Sequence, residues 1–162
     1  MHRKMTKTNV MRLLEAAGIA FDTAEYEWSE DDLSGTHAAD VMGMDHDSMF
    51  KTLVLTGDKT GHIVCCIPVD EELDLKKVAK ASGNKKTEMI HVKELLPLTG
   101  YVRGGCSPVG MKKKFPTYID ETAILFDRIA VSAGMRGEQV ILNPEELAEY
   151  LEAEFTALTK EE

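Results

Sequence analysis

The sequence is poor in cysteine and in long apolar runs, and each shortage excludes a class of protein. Three cysteines cannot all pair, and no apolar stretch follows the basic start of the chain, as a secretory signal would require. The longest apolar run, residues 63–69, is too short to span a bilayer. The five histidines show no metal-ligand spacing with one another or with the cysteines. We therefore expect a cytoplasmic protein that uses no metal and no cofactor.

Basic charge is scarce overall but concentrated in the middle of the chain. The net charge is −9, from 19 lysines and arginines against 28 aspartates and glutamates. Between Lys76 and Arg136 there are 12 basic and five acidic residues, a net of +7, which leaves −16 for the remainder. A basic middle on an acidic protein could hold a phosphate-rich ligand without indiscriminate binding to polyanions. Alternatively, the lysines of 76–86 only form the solvated face of a helix.

Length and composition favour one ordinary globular domain. The apolar fraction is 43% and the charged fraction 29%, over 162 residues. We expect a single domain over residues 6–157. A disordered or expression-derived start at 1–5 would precede it, and a loose tail at 158–162 would follow it.

The pattern predicts helices inserted irregularly among short strands. Helices are expected at about 7–17, 34–44, 75–82, 92–96 and 144–155, and strands at 19–28, 50–55, 62–67, 117–119, 123–126, 129–132 and 139–142. The clearest feature is a hairpin whose two strands flank the polar, glycine-bounded turn 57–61. Because strands and helices do not alternate regularly, a doubly wound parallel sheet is disfavoured. We predict an α/β fold of the α+β type, with a mixed, largely antiparallel, barrel-like sheet surrounded by helices.

Lys51 is the first candidate functional residue, because it interrupts an otherwise apolar strand. With a period of two, Lys51 shares a face with Leu53 and Leu55. If that face is the inner one, the ammonium lies in a cavity wall and needs an anionic or strongly polar partner. The alternative is a lysine on an edge strand that blocks aggregation.

A glycine-rich loop at 104–110 is the second candidate. Gly104 and Gly105 allow the backbone to approach a ligand closely, and Pro108 stiffens the exit. Such a loop can offer N–H groups to a carbonyl oxygen or a phosphate. It lacks the Gly-Lys-Ser/Thr ending of a Walker loop, and Pro108 after Ser107 excludes a G-x-S-x-G elbow. A plain surface turn is the alternative.

Two further residues could take part in chemistry. Cys106 could be a nucleophile, although no local motif supports this. Its base would be one of four histidines: His37, His46, His62 or His91. Arg136, in the glycine-rich turn 132–137, could meet a phosphate or pair with the acidic surface.

Three motifs together resemble a known family. They are FKTL at 50–53, GGCSPVG at 104–110 and VSAGMRG at 131–137. In this order they resemble the YbaK/EbsC family, the free-standing relatives of the editing domain of bacterial prolyl-tRNA synthetases. The resemblance runs from about residue 5 to residue 156. It implies a mixed sheet that closes toward a barrel around a pocket, and hydrolysis of mischarged aminoacyl-tRNA.

The resemblance also assigns residues by matched position. Lys51 matches the family's key lysine, and Gly104 and Pro108 open and close its Gly-x-x-x-Pro loop. Gln139 falls where several members have Asp, and because glutamine cannot act as a base, any scheme that needs a carboxylate there is in doubt. The implied catalytic groups are Lys51 and Gly104. The implied substrate-binding residues are Tyr26, which matches a pocket aromatic, and Gly105, Cys106, Ser107, Pro108, Ser132, Gly134, Arg136 and Gln139.

The first two motifs most resemble the branch that clears cysteine from proline tRNA. In the mechanism implied, the substrate's cysteine thiol attacks its own ester carbonyl and leaves as a thiolactone, so Cys106 is not required as a nucleophile. Lys51 would hold the terminal nucleotide or polarise the ester, and amides of the Gly104 loop would fix the carbonyl and the ribose. We expect the acceptor end of aminoacyl-tRNA as substrate, weak intrinsic tRNA selection and prolyl-tRNA synthetase as a partner. Two alternatives stay open: editing of alanine or serine, and non-catalytic binding of tRNA ends or nucleotides.

Overall fold

The computed structural model describes residues 7–161, so the start predicted at 1–5 lies outside the described residues. The helices are α1 Asn9–Ala16, α2 Gly35–Met42, α3 Leu75–Ser82, α4 Val92–Thr99 and α5 Pro144–Leu151. The strands are β1 Phe21–Glu25, β2 Phe50–Gly57, β3 Gly61–Pro68, β4 Thr87–Met89, β5 Thr117–Asp120, β6 Ile129–Ser132, β7 Glu138–Leu142 and β8 Glu154–Thr156. A 3-10 helix, Glu121–Leu125, follows β5.

The strands form two sheets that meet at one point. The first is antiparallel, in the order β1-β7-β6, and the second has the order β4-β2-β3-β5-β8. Only the β3–β5 and β5–β8 pairs of the second sheet are parallel. A parallel bridge between Met49 and Ala130 joins the sheets, and the Ala130 N–H donates to the Ser48 carbonyl at 2.9 Å. The predicted mixed, largely antiparallel α/β fold is therefore confirmed, with its strands divided between two bridged sheets.

Side-chain caps begin four of the five helices described within residues 7–161. Thr8, Ser34, Asp74 and Asn143 each accept a hydrogen bond from a backbone N–H in the first turn of their helix. The predicted hairpin is also confirmed, because β2 and β3 pair in register from Phe50 opposite Pro68 to Gly57 opposite Gly61. These features depend on neighbouring residues alone.

Helix α4 and the segment after β5 differ from the prediction. Helix α4 does not stop before Pro97 but continues to Thr99. Proline removes only one intrahelical bond, to the carbonyl of Lys93, and Lys93 is exposed to water. Residues 123–126 are predicted as a strand, but 123–125 form the end of the 3-10 helix and Phe126 follows it directly. The Asp120 side chain begins this helix by accepting a hydrogen bond from the Thr122 N–H.

The C-terminal part of the chain is shorter in helix and longer in sheet than predicted. Helix α5 ends at Leu151, not near 155, because Glu152 adopts a left-handed conformation with φ 55°. Residues 154–156 then pair with β5. Strands β4 and β8 have three residues each, too few for a period-two pattern to show in the sequence.

Residues 158–160 pack on the domain, so the predicted loose tail at 158–162 is wrong for these positions. The Leu158 side chain is fully buried, and its N–H donates to Asp120 Oδ1 at 3.0 Å. Thr159 forms a bridge with Leu73, and the Lys160 N–H donates to the Glu72 carbonyl at 2.9 Å. Main-chain bonds thus continue the fold to Lys160.

Three apolar clusters fill the interior. The largest packs α1 and α5 against the first sheet, and the second lies between the second sheet and α3. The third joins α2 to Met49, Val69 and Ala130, at the place where the sheets meet. None of the helices within residues 7–161 combines the length and apolar character needed to cross a bilayer.

Candidate active site

A cavity of about 550 Å³ lies beside the junction of the two sheets. Strand β2 contributes most of one wall, and α2, the start of α4 and the 103–106 loop contribute the others. Its lining includes six of the eleven predicted site residues: Tyr26, Lys51, Gly104, Cys106, Ser132 and Gln139. No carboxylate belongs to this lining among the residues that the structure describes.

Lys51 lies in the wall of this cavity. Its side chain is half-buried, and Nζ donates to the Val69 carbonyl at 3.2 Å. Burial lowers the pKa of Lys51, and the carboxylates of residues 70–72 oppose this shift. The ammonium therefore faces an enclosed space and not an exposed sheet edge, which favours the cavity interpretation over that of an aggregation-blocking lysine.

The glycine-rich loop approaches the cavity through Gly104 and Cys106. Gly104 has φ 85°, and a Cβ there would lie 3.3 Å from Leu33 Cβ, so both conformation and space favour glycine. The Gly105 N–H is already used, because it donates to the Val102 carbonyl at 2.9 Å. A Cβ on Gly105 would lie 3.0 Å from the Arg136 backbone nitrogen. Gly105 therefore packs the loop against the 132–137 turn, while the N–H groups of Gly104 and Cys106 have no main-chain acceptor within residues 7–161.

Cys106 is a poor nucleophile in this environment. Its thiol is buried, and burial raises the pKa of Cys106 to about 12. At neutral pH the thiol is therefore protonated. Of the four candidate histidines, only His91 lines the cavity. Its backbone N–H donates to Glu94 Oε2 at 2.8 Å and so helps to begin α4.

The remaining predicted residues lie away from the cavity wall. Ser107 is fully buried, and its Oγ accepts from the Val109 N–H at 3.2 Å. Pro108 lines a second cavity of about 370 Å³, beside Lys113 and Lys114. Gly134 packs near Tyr101, since a Cβ there would lie 3.0 Å from that ring. These positions shape the loops and do not line the candidate site.

Arg136 lies at the rim of the site. Its Nε donates to the Arg103 carbonyl at 2.9 Å, and its guanidinium carbon is 5.3 Å from the centroid of the Trp28 ring. A Cβ on Gly104 would lie 3.6 Å from the Arg136 side chain. The two glycine-rich segments are therefore held together at this edge of the cavity.

Ser132 and Gln139 lie opposite each other across β6 and β7, and both line the cavity. Ser132 Oγ accepts from the Gly134 N–H at 3.1 Å. Gln139 is 6% exposed, and its Oε1 has no hydrogen-bond partner among residues 7–161. The amide is thus held in the wall as a neutral polar group, without the charge of a carboxylate.

The sequence interpretation missed several residues of the lining. Arg103 precedes the glycine loop and could have been inferred from that position, and Thr52 stands beside Lys51 in the FKTL motif. Leu33 and Leu95 carry no sequence signal, because only the tertiary fold brings them to the cavity. No group of three His, Cys, Asp or Glu side chains in the described part of the chain could hold a metal ion.

Known proteins of similar sequence and fold cover nearly the whole chain. The aminoacyl-tRNA editing domain family matches residues 34–150. EbsC of Enterococcus faecalis, named as a proposed Cys-tRNA(Pro)/Cys-tRNA(Cys) deacylase, is 51% identical over 156 residues, which cover 96% of this chain and 95% of EbsC. A proposed trans-editing enzyme for prolyl-tRNA synthetase superposes with a TM-score of 0.81 at 25% identity, over 94% of this chain and 95% of that one. A hypothetical protein of 20% identity shares the fold with a TM-score of 0.84, over 93% and 99% of the two chains.

Proposed function

This chain belongs to the aminoacyl-tRNA editing domain family, and on that premise we propose that it deacylates mischarged aminoacyl-tRNA, with Cys-tRNA(Pro) as its main substrate. The observation that carries the proposal is a cavity wall in which the Lys51 ammonium and the amides of Gly104 and Cys106 are available as donors, with no carboxylate beside them. The name of the 51% identical relative supports the same substrate.

The size of the cavity fits the reacting end of such a substrate. Small-molecule sites usually have volumes of about 300–1,000 Å³, and this cavity has about 550 Å³. It can therefore enclose an aminoacyl group with part of the terminal nucleoside. The helical stem of a tRNA must stay outside, on the surface of the protein.

The lining favours chemistry driven by the substrate. An aminoacyl ester is already activated, so positioning and stabilisation of its carbonyl oxygen can supply most of the acceleration. The substrate thiol attacks the ester carbonyl carbon, a C–S bond forms, the C–O bond to the ribose breaks, and the thiol proton passes to the leaving oxygen. The thiolactone released is then hydrolysed by water. This route needs donors for the carbonyl oxygen, which Lys51 and the loop supply, and it needs no carboxylate base from the protein.

Deacylation of four esters tests the proposal. Purified protein is incubated with cysteinyl-, seryl-, alanyl- and prolyl-tRNA(Pro), and each rate is compared with the spontaneous rate. We expect rapid loss of the cysteinyl ester alone, because serine has the weaker hydroxyl nucleophile and alanine has none. Lys51→Ala should reduce the rate about 100-fold or more, as expected for loss of a carbonyl-oxygen donor.

Lys59→Ala is the matched control, because it removes the same charge from the exposed turn between β2 and β3. It should leave the rate unchanged. Equal hydrolysis of the alanyl ester would assign the enzyme to another small amino acid. Survival of all four esters would refute the enzyme and leave a protein that binds tRNA ends.

The resemblance of the fold to a proposed trans-editing enzyme for prolyl-tRNA synthetase supports that synthetase as a partner. A synthetase pocket sized for proline discriminates against smaller side chains by only a few kcal/mol, so a second sieve is useful. Added prolyl-tRNA synthetase should therefore increase deacylation at low tRNA concentration. An unchanged rate over a range of synthetase concentrations would count against the partnership.

A further inference from the structure

Strand β2 has an open stretch of main chain that faces the cavity. Near its start, the Ser48 carbonyl accepts the Ala130 N–H at 2.9 Å, beside the Met49–Ala130 bridge. Near its end, the Val54 carbonyl accepts the Ile90 N–H at 3.3 Å, where β4 begins to pair. Thr52 lies between these two attachments and lines the cavity.

The register of the hairpin shows which way the Thr52 main chain points. The Val69 N–H donates to the Met49 carbonyl at 2.9 Å, which places Met49 among the residues that hydrogen-bond to β3. In an antiparallel pair, successive residues direct their N–H and C=O groups to opposite sides. Thr52, three positions on, therefore directs both groups away from β3.

Two observations agree with this orientation. Thr52 Oγ1 lies 3.7 Å from Sγ of Cys66, its register partner, as expected for a pair that shares no main-chain bond. Within residues 7–161, β2 pairs with β4 only from Leu55 onward and with the first sheet only at the Met49–Ala130 bridge, so no ladder pairing covers the outer side of β2 at Thr52. A stretch of strand main chain without a neighbouring strand can pair with an extended ligand, so this gap between β6 and β4 is suited to one.

We propose that the aminoacyl group of the substrate binds along β2 as a strand of one residue. Its α-amino group donates to the Thr52 carbonyl, and the Thr52 N–H donates to its ester carbonyl oxygen. An aminoacyl ester carries an N–H donor and a C=O acceptor on one α-carbon, which is the arrangement that a paired strand residue presents. The inference rests on the proposed function, because it concerns the same substrate.

This binding mode separates recognition of the amino acid from selection of its side chain. The Thr52 main chain contacts only groups that all α-amino acids share. The side chain of the substrate then points toward one face of β2, since strand residues alternate, and the cavity wall selects it by fit. The Thr52 N–H also acts on the reacting carbonyl, next to Lys51 in the chain.

Amide hydrogen exchange tests the proposal without turnover. The ¹⁵N-labelled protein is saturated with a stable analogue, cysteine joined through an amide bond to 3′-amino-3′-deoxyadenosine. In the free protein, the Thr52 amide should exchange much faster than those of Lys51 and Leu53, which pair with β3. The analogue should slow exchange at Thr52 about tenfold or more, and adenosine alone should not.

A second analogue tests the amino group. The 3-mercaptopropionyl amide keeps the thiol and the carbonyl but lacks the α-amino group, and it should bind about tenfold more weakly, as for loss of one charge-assisted hydrogen bond. Thr52→Val keeps the main chain, so it should retain both the protection and the preference for the amino group.

In the exchange experiment, protection of the Thr52 amide in the free protein, or no gain of protection at saturation, would overturn the inference. In the binding experiment, equal affinity for the two analogues, or no binding of the cysteinyl analogue, would do the same. Loss of the preference for the amino group in Thr52→Val would also count against it. Its failure is distinguishable from that of the proposed function. Turnover without protection at Thr52 refutes only the strand-like binding mode. Protection without turnover refutes only the deacylase.

Discussion

Lys51 and Cys106 line one cavity, and burial disfavours the charged form of both side chains, but their neighbours differ. Lys51 loses solvation, but it keeps the Val69 carbonyl as a partner and the carboxylates of residues 70–72 as neighbours. No cation among the described residues acts on Cys106 to stabilise a thiolate, and burial raises its pKa to about 12. The cavity therefore offers a cationic donor but no thiolate, so Cys106 does not supply the nucleophile.

Cys106→Ala should consequently keep its activity. We expect a rate within about threefold of the wild type and a small loss of stability, on the order of 1 kcal/mol, from the lost packing of one sulfur. Deacylation kinetics and a thermal melt measure the two quantities. A folded variant with a rate reduced about 10⁴-fold would instead make Cys106 the nucleophile.

At the scale of elements, Asn84 connects the hairpin turn to the end of α3. Its Oδ1 accepts from the Lys59 and Thr60 N–H groups at 2.8 and 3.0 Å, and its Nδ2 donates to Ser82 Oγ at 2.7 Å. The side chain is buried, and Gly57 lies so close that a Cβ there would be 2.2 Å from Nδ2. One side chain thus accepts from two N–H groups of the turn and ties the turn to the end of α3.

Asn84→Ala should destabilise the domain by about 2–3 kcal/mol, because several buried donors and acceptors lose their partners together. Urea denaturation measures the change, and Lys85→Ala, on the exposed neighbour, is the control. The deacylation rate per folded molecule should not change, since Asn84 does not line the cavity. A loss below about 0.5 kcal/mol would show that water replaces these bonds at little cost.

The elements that the sequence predicted well are those determined by adjacent residues. Thr8 and Asn143 begin their helices by accepting hydrogen bonds from the first turn, and the turn between β2 and β3 follows from its glycines and polar residues. Strands β4 and β8 were missed because each has three residues and exists only through its pairing partner. In the site, motifs identified Lys51 and Gly104, whereas His91 reaches the cavity only through tertiary packing.

At the scale of the whole molecule, the uneven distribution of charge stays a prediction about tRNA binding. The acidic remainder of the chain should limit its unaided affinity, while a basic surface meets the acceptor end. Lys113 and Lys114 line the second cavity, and Lys114 forms an ion pair with Glu152 at 2.6 Å. Lys112, Lys113 and Lys114 form a cluster of three consecutive lysines. Because Lys114 already pairs with Glu152, we expect Lys112 and Lys113 to contact tRNA phosphates more readily.

Reversal of all three charges, Lys112→Glu with Lys113→Glu and Lys114→Glu, should weaken tRNA binding and its dependence on salt. Each lost phosphate contact makes the negative slope of log K against log salt shallower by about 0.7–0.9. A fluorescence titration with tRNA(Pro) at several salt concentrations measures this slope, with Lys59→Glu as the control. An unchanged slope would exclude this cluster from the interface.

The packing of residues 158–160 bears on the order in which the site forms during folding. Leu158 contacts Asp120 across 38 positions, and Lys160 contacts Glu72 across 88 positions. The 72–74 segment that they hold follows Val69, whose carbonyl binds the Lys51 ammonium. Contacts between distant positions form late, because a long loop must close first. We therefore expect this wall of the cavity to be completed late in folding, after residues 158–160 have packed on the 72–74 segment.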